Sequence, residues 1–159
     1  MKLADPVIDE SHIAKRELAA EVLRSSGCLR LRVTGRSMLP TIWPGDMLII
    51  EPLGSSSVAE GEIVLFDRLL RLVAHRVVRK EDSRVLTRGD ALAVPDAPLD
   101  ENELMGRVSF ILRNGKHIRP RATLRVTERA LAALVRRSRI AATVVVRARR
   151  LLQTSVQPA

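Results

Sequence analysis

The sequence is short of aromatic residues and of cysteine, and both shortages limit what the protein can be. Aromatic residues make up 2% of the 159 residues, namely Trp43, Phe66 and Phe110. A core must therefore rest on Leu, Val, Ile and Ala, and a hydrophobic fraction of 46% suffices for one folded domain. Because Cys28 is the single cysteine, no internal disulfide can form, which fits a reducing compartment.

Long apolar segments are also missing. Residues 1–12 carry acids early and lack the apolar stretch that defines a signal peptide. The longest apolar run, residues 140–146, is far shorter than the roughly 18 residues that a membrane span needs. We therefore expect a soluble, cytoplasmic protein.

Acidic residues are nearly absent from the last third of the chain. Residues 1–104 contain 14 Lys and Arg and 17 acids, whereas residues 105–159 contain 13 Lys and Arg and one acid. Such a basic end suits an anionic lipid surface, an acidic partner, nucleic acid or simply a solvated face. We expect no nucleic-acid partner, because the chain has no recognition motif and too few aromatic rings to stack on bases.

Short alternating and apolar segments predict a mainly β protein of the α+β class, with an antiparallel body between two helices. Residues 9–26 have helical spacing, and Gly27 is well placed to end that helix. The dipeptide at 114–115, Asn-Gly, predicts a hairpin turn within residues 105–120. The predicted strands are residues 28–34, 47–53, 63–68, 69–82 and 84–90, and residues 91–104 form an acidic loop.

A second helix is predicted over residues 127–153, where apolar residues such as Leu131 and Val135 recur at helical spacing and Arg136 falls on the opposite face. The first interpretation, which we favour, is that this helix packs on the body of the protein. The second is that the basic helix lies on an anionic membrane.

The segment TGRSMLPTIWPGD, residues 34–46, sets one serine among rigid apolar neighbours. If Ser37 is a nucleophile, it needs a nearby base, a third group that orients the base, and a donor to the developing oxyanion. Of the three histidines, His12 and His117 are expected at the surface. His75 lies in an apolar strand, LVAHRVV, where, taken by itself, a buried core histidine is the favoured interpretation.

The order of motifs around these residues resembles type I signal peptidases and the wider group of serine peptidases that includes LexA-like proteases. The matching segments are GRSMLPTIWPGDMLII, GEIVLFDR, VAHRVV, LTRGDALAVPDAP and LMGRV, and they span about residues 30–112. A histidine at the base position is similar to the archaeal and endoplasmic-reticulum branch, which works with Ser, His and Asp.

The resemblance implies a role for each matching residue. Ser37 would attack the scissile carbonyl, His75 would be the general base and Asp96 would orient His75. Asp90 is the alternative for that third role. Arg76 follows the base on a strand and should face away from it, because neighbouring strand residues point to opposite faces.

The resemblance also implies a binding site for a peptide or protein substrate. The backbone N–H of Ser37 would meet the oxyanion, and Gly35 stands where many signal peptidases have a second, serine donor. Met38, Leu39 and Pro40 would line the approach. Neither a metal nor a cofactor is implied, and the substrate would be a peptide with small apolar residues near the cut, bound as an added strand.

The resemblance divides the chain into an N-terminal helix at 1–27, a signal peptidase/LexA-like β domain at 28–120 and a basic helical extension at 121–159. The chain lacks the membrane anchor of signal peptidases and the DNA-binding domain of LexA-like proteins. Two functions therefore stay open, of which an active endopeptidase of the signal-peptidase type is favoured. The alternative is a catalytically inactive module of the same fold that binds peptides.

Overall fold

A computed structural model describes residues 10–54, 57–69, 71–137 and 143–148. The protein is mostly an antiparallel β-sheet with helices before and after it, which confirms the predicted fold class. In chain order the elements are α1 (Glu10–Ser26), β1 (Leu29–Arg32), β2 (Met47–Glu51), β3 (Ile63–Arg68), β4 (Arg71–Glu81), β5 (Arg84–Arg88), β6 (Leu99–Asp100), β7 (Leu104–Arg113), β8 (Lys116–Ile118) and α2 (Val126–Arg137). Residues 143–148 are also helical.

The sheet has the strand order β1-β2-β7-β3-β4-β5-β6, with β8 paired to β7. Every pairing is antiparallel, and irregularities in register bend the sheet at Ile49/Ile50, Leu65/Phe66 and Val77/Arg79. Strand β3 is apolar on both faces because it separates two core clusters. One cluster includes Ile63 and Leu65, and the other includes Val64 and Phe66.

Two turns follow directly from their glycines. Helix α1 ends at Gly27, which has a φ of 66° and donates its N–H to the carbonyl of Leu23 at 3.1 Å, as a glycine after a helix commonly does. The hairpin between β7 and β8 turns at Asn114 and Gly115, whose φ values of 51° and 73° are both left-handed. Both turns lie where the sequence predicted them.

The C-terminal part of the chain packs on the body of the protein. Within α2, Ala132 and Val135 are buried, and Val135 shares a cluster with Leu39, Ala91 and Val146. The rest of the predicted helix over 127–153, residues 138–142 and 149–153, lies outside the described residues. Among the described helices, none is long and apolar enough to cross a membrane.

Candidate active site

Ser37, His75 and Asp96 form a continuous chain of hydrogen bonds, although 59 positions separate the first from the last in sequence number. The Oγ atom of Ser37 lies 2.9 Å from Nε2 of His75. On the other side of the ring, Nδ1 of His75 lies 2.7 Å from Oδ2 of Asp96. Only 5% of His75 is exposed, so its ring is held away from bulk water. These groups can move a proton between a hydroxyl and a buried imidazole.

Ser37 is presented by a tight turn that follows β1. The N–H of Leu39 donates to the carbonyl of Arg36 at 3.2 Å, and the N–H of Ile42 donates to the carbonyl of Met38 at 2.9 Å. Met38 and Ile42 are buried below the turn. These two side chains anchor the turn in the core. Ser37 is therefore left half-buried, at the surface of a cleft between β1 and β4.

Asp46 explains why the serine loop ends in Pro-Gly-Asp. Its carboxylate accepts the backbone N–H of Trp43 at 2.7 Å, which closes the loop on itself. The same carboxylate binds the guanidinium of Arg113 on β7, at 2.9 Å from Nε and 2.6 Å from Nη2. Asp46 is 5% exposed, so this buried ion pair fixes the loop to the central strand of the sheet.

Sheet pairing and an aromatic ring position His75. In β4 it lies opposite Val64 of β3, and the ring of Phe66 meets the imidazole edge-on with centroids 6.0 Å apart. A T-shaped contact of this kind favours one orientation of the imidazole. The proposed base is therefore carried by a strand of the sheet and not by a loop.

Asp96 is held by three further contacts, two of which involve Thr87 of β5. The Oγ1 of Thr87, a fully buried residue, donates to Oδ2 of Asp96 at 2.8 Å, and the backbone N–H of Asp96 donates to the Thr87 carbonyl at 2.8 Å. Arg68 adds a longer ion pair of 3.7 Å to Oδ1. Sequence reasoning missed Thr87 and Arg68, since neither carries a signal beyond ordinary strand propensity.

Gly89 allows the turn after β5 to approach the serine closely. A Cβ atom at this position would lie 2.6 Å from the carbonyl oxygen of Ser37 and 3.1 Å from Nε2 of His75. Two residues later, the N–H of Ala91 donates to the same Ser37 carbonyl at 2.8 Å. The glycine of the RGD segment is thus a packing requirement of the site itself.

Asp90, the alternative for the third role, lies elsewhere. Its carboxylate binds the guanidinium of Arg76 through two atoms, at 2.8 Å from Nε and 2.9 Å from Nη2, and also accepts the hydroxyl of Thr41. Arg76 and Asp90 are 7% and 8% exposed. The structure therefore assigns this carboxylate to Arg76 and not to His75, because Arg76 points to the opposite face of β4, as strand alternation predicted.

Of the residues expected to line the approach, the structure brings two to the cleft. Gly35 and Met38 line it, whereas Leu39 is completely buried against Ala91 and Val135. Pro40 is buried at a separate small cavity beside Arg113. The expectation for Leu39 and Pro40 is corrected for a physical reason: the turn directs both side chains inward to hold Ser37 outward.

The cleft beside Ser37, here called the strand-lined cleft, has a volume of about 640 Å³ and runs between two strand edges. One wall is the end of β1 and the residues after it, Leu31–Gly35, and the other is Arg71–His75 of β4. Strand β5 pairs with β4 only from Arg76 onwards, and β1 is the terminal strand of the sheet order. Within the described ranges, both edges therefore have backbone groups available to an extended peptide.

The groups that could stabilise an oxyanion are few. No described residue accepts a hydrogen bond from the backbone N–H of Ser37, so that donor is available at the cleft. Gly35 supplies no side-chain donor. In the part of the chain that the structure describes, no group of three or more His, Cys, Asp or Glu residues is placed to hold a metal ion.

A comparison with known protein families gives one match. A family model described as Peptidase S24-like matches residues 3–109, which is more than half of the chain. The matched segment contains Ser37, His75 and Asp96, and it ends within β7, before the hairpin turn and α2. No curated protein matches the chain.

Proposed function

Because the chain belongs to the peptidase S24-like family, we propose that it is a serine endopeptidase with Ser37 as nucleophile and His75 as general base. The hydrogen-bonded chain from Ser37 through His75 to Asp96 is the observation that carries this proposal. The histidine base supports a mechanism like that of the Ser-His-Asp branch of signal peptidases.

In the first half of the proposed reaction, Nε2 of His75 takes the proton of Ser37 while Oγ bonds to the scissile carbonyl carbon. An imidazole whose Nδ1–H donates to Asp96 leaves Nε2 with the lone pair that this step requires. The imidazolium then gives its proton to the leaving nitrogen, and the C–N bond breaks. The product is an ester between Ser37 and the acyl part of the substrate.

In the second half, water attacks the ester carbonyl and gives a proton to Nε2 of His75. The bond between the carbonyl carbon and Oγ breaks, and the proton returns to Ser37. Both tetrahedral intermediates place negative charge near the backbone N–H of Ser37, which would donate to it. The carboxylate of Asp96 would stabilise the imidazolium in each half.

The strand-lined cleft supports a peptide as the substrate class. An extended segment between its two edges would add a strand to the sheet and bind through its backbone. Near Ser37 the cleft wall is apolar, with Met38, Ile42, Leu48 and Ala74. Small apolar residues near the cut would fit this wall, as the family resemblance implies.

The alternative is a catalytically inactive module that binds peptides in the same cleft. The binding role requires the two strand edges but not a serine bonded to a buried histidine. The intact hydrogen-bond chain therefore favours the peptidase.

Peripheral contact with anionic membranes is a separate proposal for the C-terminal helices. Val135 of the apolar stripe and the neighbouring Ala132 are buried, which removes them from any lipid surface. Leu134 and Val144 stay more than half exposed, two positions before Arg136 and three before Arg147. Sedimentation with vesicles containing an anionic lipid, compared with neutral vesicles, tests this contact.

Cleavage of a mixed peptide library, followed by mass spectrometry, tests the main proposal. We expect new peptide ends from the wild type and none from Ser37→Ala or His75→Ala. Ser83→Ala, which changes an exposed serine in the turn after β4, is the matched control and should cut like the wild type. Equal cleavage patterns from the wild type and Ser37→Ala would exclude the serine mechanism.

A further inference from the structure

A second cavity opens beside Ser37 and has a different wall from the first. It has a volume of about 610 Å³ and shares only Thr34, Gly35 and Ser37 with the strand-lined cleft. Its other lining residues are Arg36, Ala91, Leu92, Ala93, Val135, Arg136 and Thr143. We call it the helix-lined cavity, since α2 and the helical residues 143–148 both contribute to it.

Ser37 lies at the junction of the two cavities. An endopeptidase substrate extends on both sides of the bond that is cut, so a peptide in the strand-lined cleft must continue past the serine. The helix-lined cavity is the space that receives this continuation. Its lining residues are therefore placed to contact the substrate on one side of the scissile bond.

The helix-lined cavity carries positive charge without a lining acid. Its two charged residues are Arg36, next to the nucleophile, and Arg136, in the last turn of α2. Arg36 is fixed across the cavity, because its Nη1 donates to Oγ1 of Thr143 at 2.7 Å. The floor is apolar and includes Ala91 and Val135, which lowers the competition from water for a bound anion.

The strand-lined cleft differs in this respect. Its lining includes one carboxylate, Asp67, which pairs with Arg16 at 3.3 Å, and the further cations Lys15, Arg32 and Arg71. Part of the positive charge there is thus balanced within the protein, whereas the charge of the helix-lined cavity faces no lining carboxylate.

Part of the wall of this cavity, including Arg136, lies beyond the segment shared with the family. The family model ends at residue 109, whereas Val135, Arg136 and Thr143 all follow it. The shared β body therefore supplies the nucleophile and the base, and the C-terminal extension adds one side of the substrate site.

We propose that Arg36 and Arg136 make the enzyme select substrates with an acidic residue on the side of the scissile bond that enters the helix-lined cavity. This inference rests on the proposed peptidase function. A guanidinium donates several N–H groups in a planar fork that matches a carboxylate, so two of them suit a Glu or Asp side chain. A Lys at the same position would meet like charge.

Short alanine-based peptides around a cut site found with the library give the test. One position at a time, on either side of the cut, carries Glu, Gln or Lys. We expect kcat/KM for Glu to exceed that for Lys by about tenfold on the side of the cut that enters the helix-lined cavity, as two exposed ion pairs would give. Raising the salt concentration should reduce this preference.

Charge reversal separates specificity from general damage. Arg136→Glu should invert the ratio of kcat/KM between the Glu and Lys peptides. Arg137→Glu is the matched control, because it makes the same change one residue later in α2 at a side chain that does not line the cavity. It should preserve the wild-type ratio.

The outcomes distinguish this inference from the proposed function. Cleavage with equal rates for Glu and Lys on both sides would overturn the acidic preference and leave the peptidase in place. If these peptides are not cut, they are labelled with a fluorophore. Fluorescence anisotropy then compares the affinity of the Ser37→Ala protein for the Glu and Lys peptides. Equal affinities for Glu and Lys peptides would then overturn the inference, and tighter binding of Glu peptides that Arg136→Glu reverses would support it.

Discussion

The carboxylate of Asp96 accepts two hydrogen bonds on one oxygen, at 2.7 Å from Nδ1 of His75 and at 2.8 Å from the hydroxyl of Thr87. The second bond holds the carboxylate in the plane where it meets the imidazole. Thr87, which is fully buried, therefore helps to fix the orientation of His75 through its bond to Asp96.

The first prediction concerns Asp96→Asn. The amide has the size of the carboxylate, but it can no longer stabilise an imidazolium or enforce the tautomer that leaves Nε2 free. We expect kcat to fall by about 10⁴-fold, because the wrong tautomer of His75 would be favoured, with a small change in KM. Steady-state kinetics on a cleaved library peptide measures both. Asp90→Asn is the comparison, and a larger loss of kcat there than in Asp96→Asn would reverse the assignment of the third residue.

Ser37 and His75 should act as one unit. Each single change to Ala removes the proton transfer on which the other residue depends. We expect the double variant Ser37→Ala/His75→Ala to be no slower than either single variant. Single-turnover kinetics of all three proteins measures this, and losses that multiply would show that the two residues act independently.

Gly89→Ala should lower activity through a steric clash. The added Cβ would lie 2.6 Å from the Ser37 carbonyl, a backbone atom that cannot move without shifting the nucleophile. We expect kcat to fall at least tenfold, while the far-ultraviolet circular dichroism spectrum is kept. Ser83→Ala is the control, since it changes an exposed residue in the turn after β4. Normal activity of Gly89→Ala would contradict the close approach.

The Arg76–Asp90 pair should contribute to stability and not to the chemical step. Arg76→Met leaves a buried carboxylate without its partner, which is expected to lower the free energy of unfolding by about 3–5 kcal/mol. The double variant Arg76→Met/Asp90→Leu removes both charges and should recover a large part of that loss. Urea unfolding of the wild type, Arg76→Met, Asp90→Leu and the double variant measures the coupling. Additive losses would show that the pair does not act as a unit.

Glu101 gives a prediction about pH. The side chain of Lys80, followed by the backbone N–H of Val58, lowers the pKa of the Glu101 carboxyl below its ordinary value. A carboxyl with a lowered pKa stabilises the folded state above the pKa of the unfolded chain, and this contribution is lost as the pH falls through the folded pKa. Wild type should therefore be more stable than Glu101→Gln at neutral pH, and the two should converge in acid. Unfolding in urea at several pH values would show this, and a constant difference would contradict it.

Much of the fold was predictable because the conformational preferences of individual residues agree with the turns and helix ends that the fold requires. The turn at Asn114–Gly115 requires two left-handed residues, and the sequence supplies a pair that tolerates them. Helix α1 ends at Gly27 for a similar reason. Longer segments were predicted as single elements where the described structure has shorter ones, such as strand β1 at Leu29–Arg32 within the expected 28–34.

The choice between two aspartates could not be made from the sequence. Asp90 and Asp96 lie in one segment, and either could reach the base. The decision depends on Arg76, which takes Asp90 from the opposite face of β4, and on Thr87, which receives Asp96. Both partners lie within 14 positions of the aspartate that they bind, so the register of the folded sheet, and not the spacing in sequence, decides which carboxylate reaches His75.

The roles expected for Leu39 and Pro40 show another limit. A β-strand or a helix has a period from which the direction of a side chain follows, but a turn has none. The hydrophobic character of both residues was compatible with a substrate surface and with a core. The structure shows the core position, where Leu39 is completely buried.

The guanidinium of Arg76 also donates to the backbone carbonyls of Gly61 and Arg121, at 2.8 and 2.6 Å. Ala122 sits so close to Gly61 that a Cβ on the glycine would lie 2.6 Å from its own. Strand β4, which carries the proposed base, is thus hydrogen-bonded to the residues at which the C-terminal extension begins. In a chain that ended before residue 121, Arg76 would lack one of its acceptors. Gly61 would lose its contact with Ala122. The chain must therefore reach at least residue 122 before Arg76 and Gly61 have these contacts, and a chain that stopped earlier should be less stable.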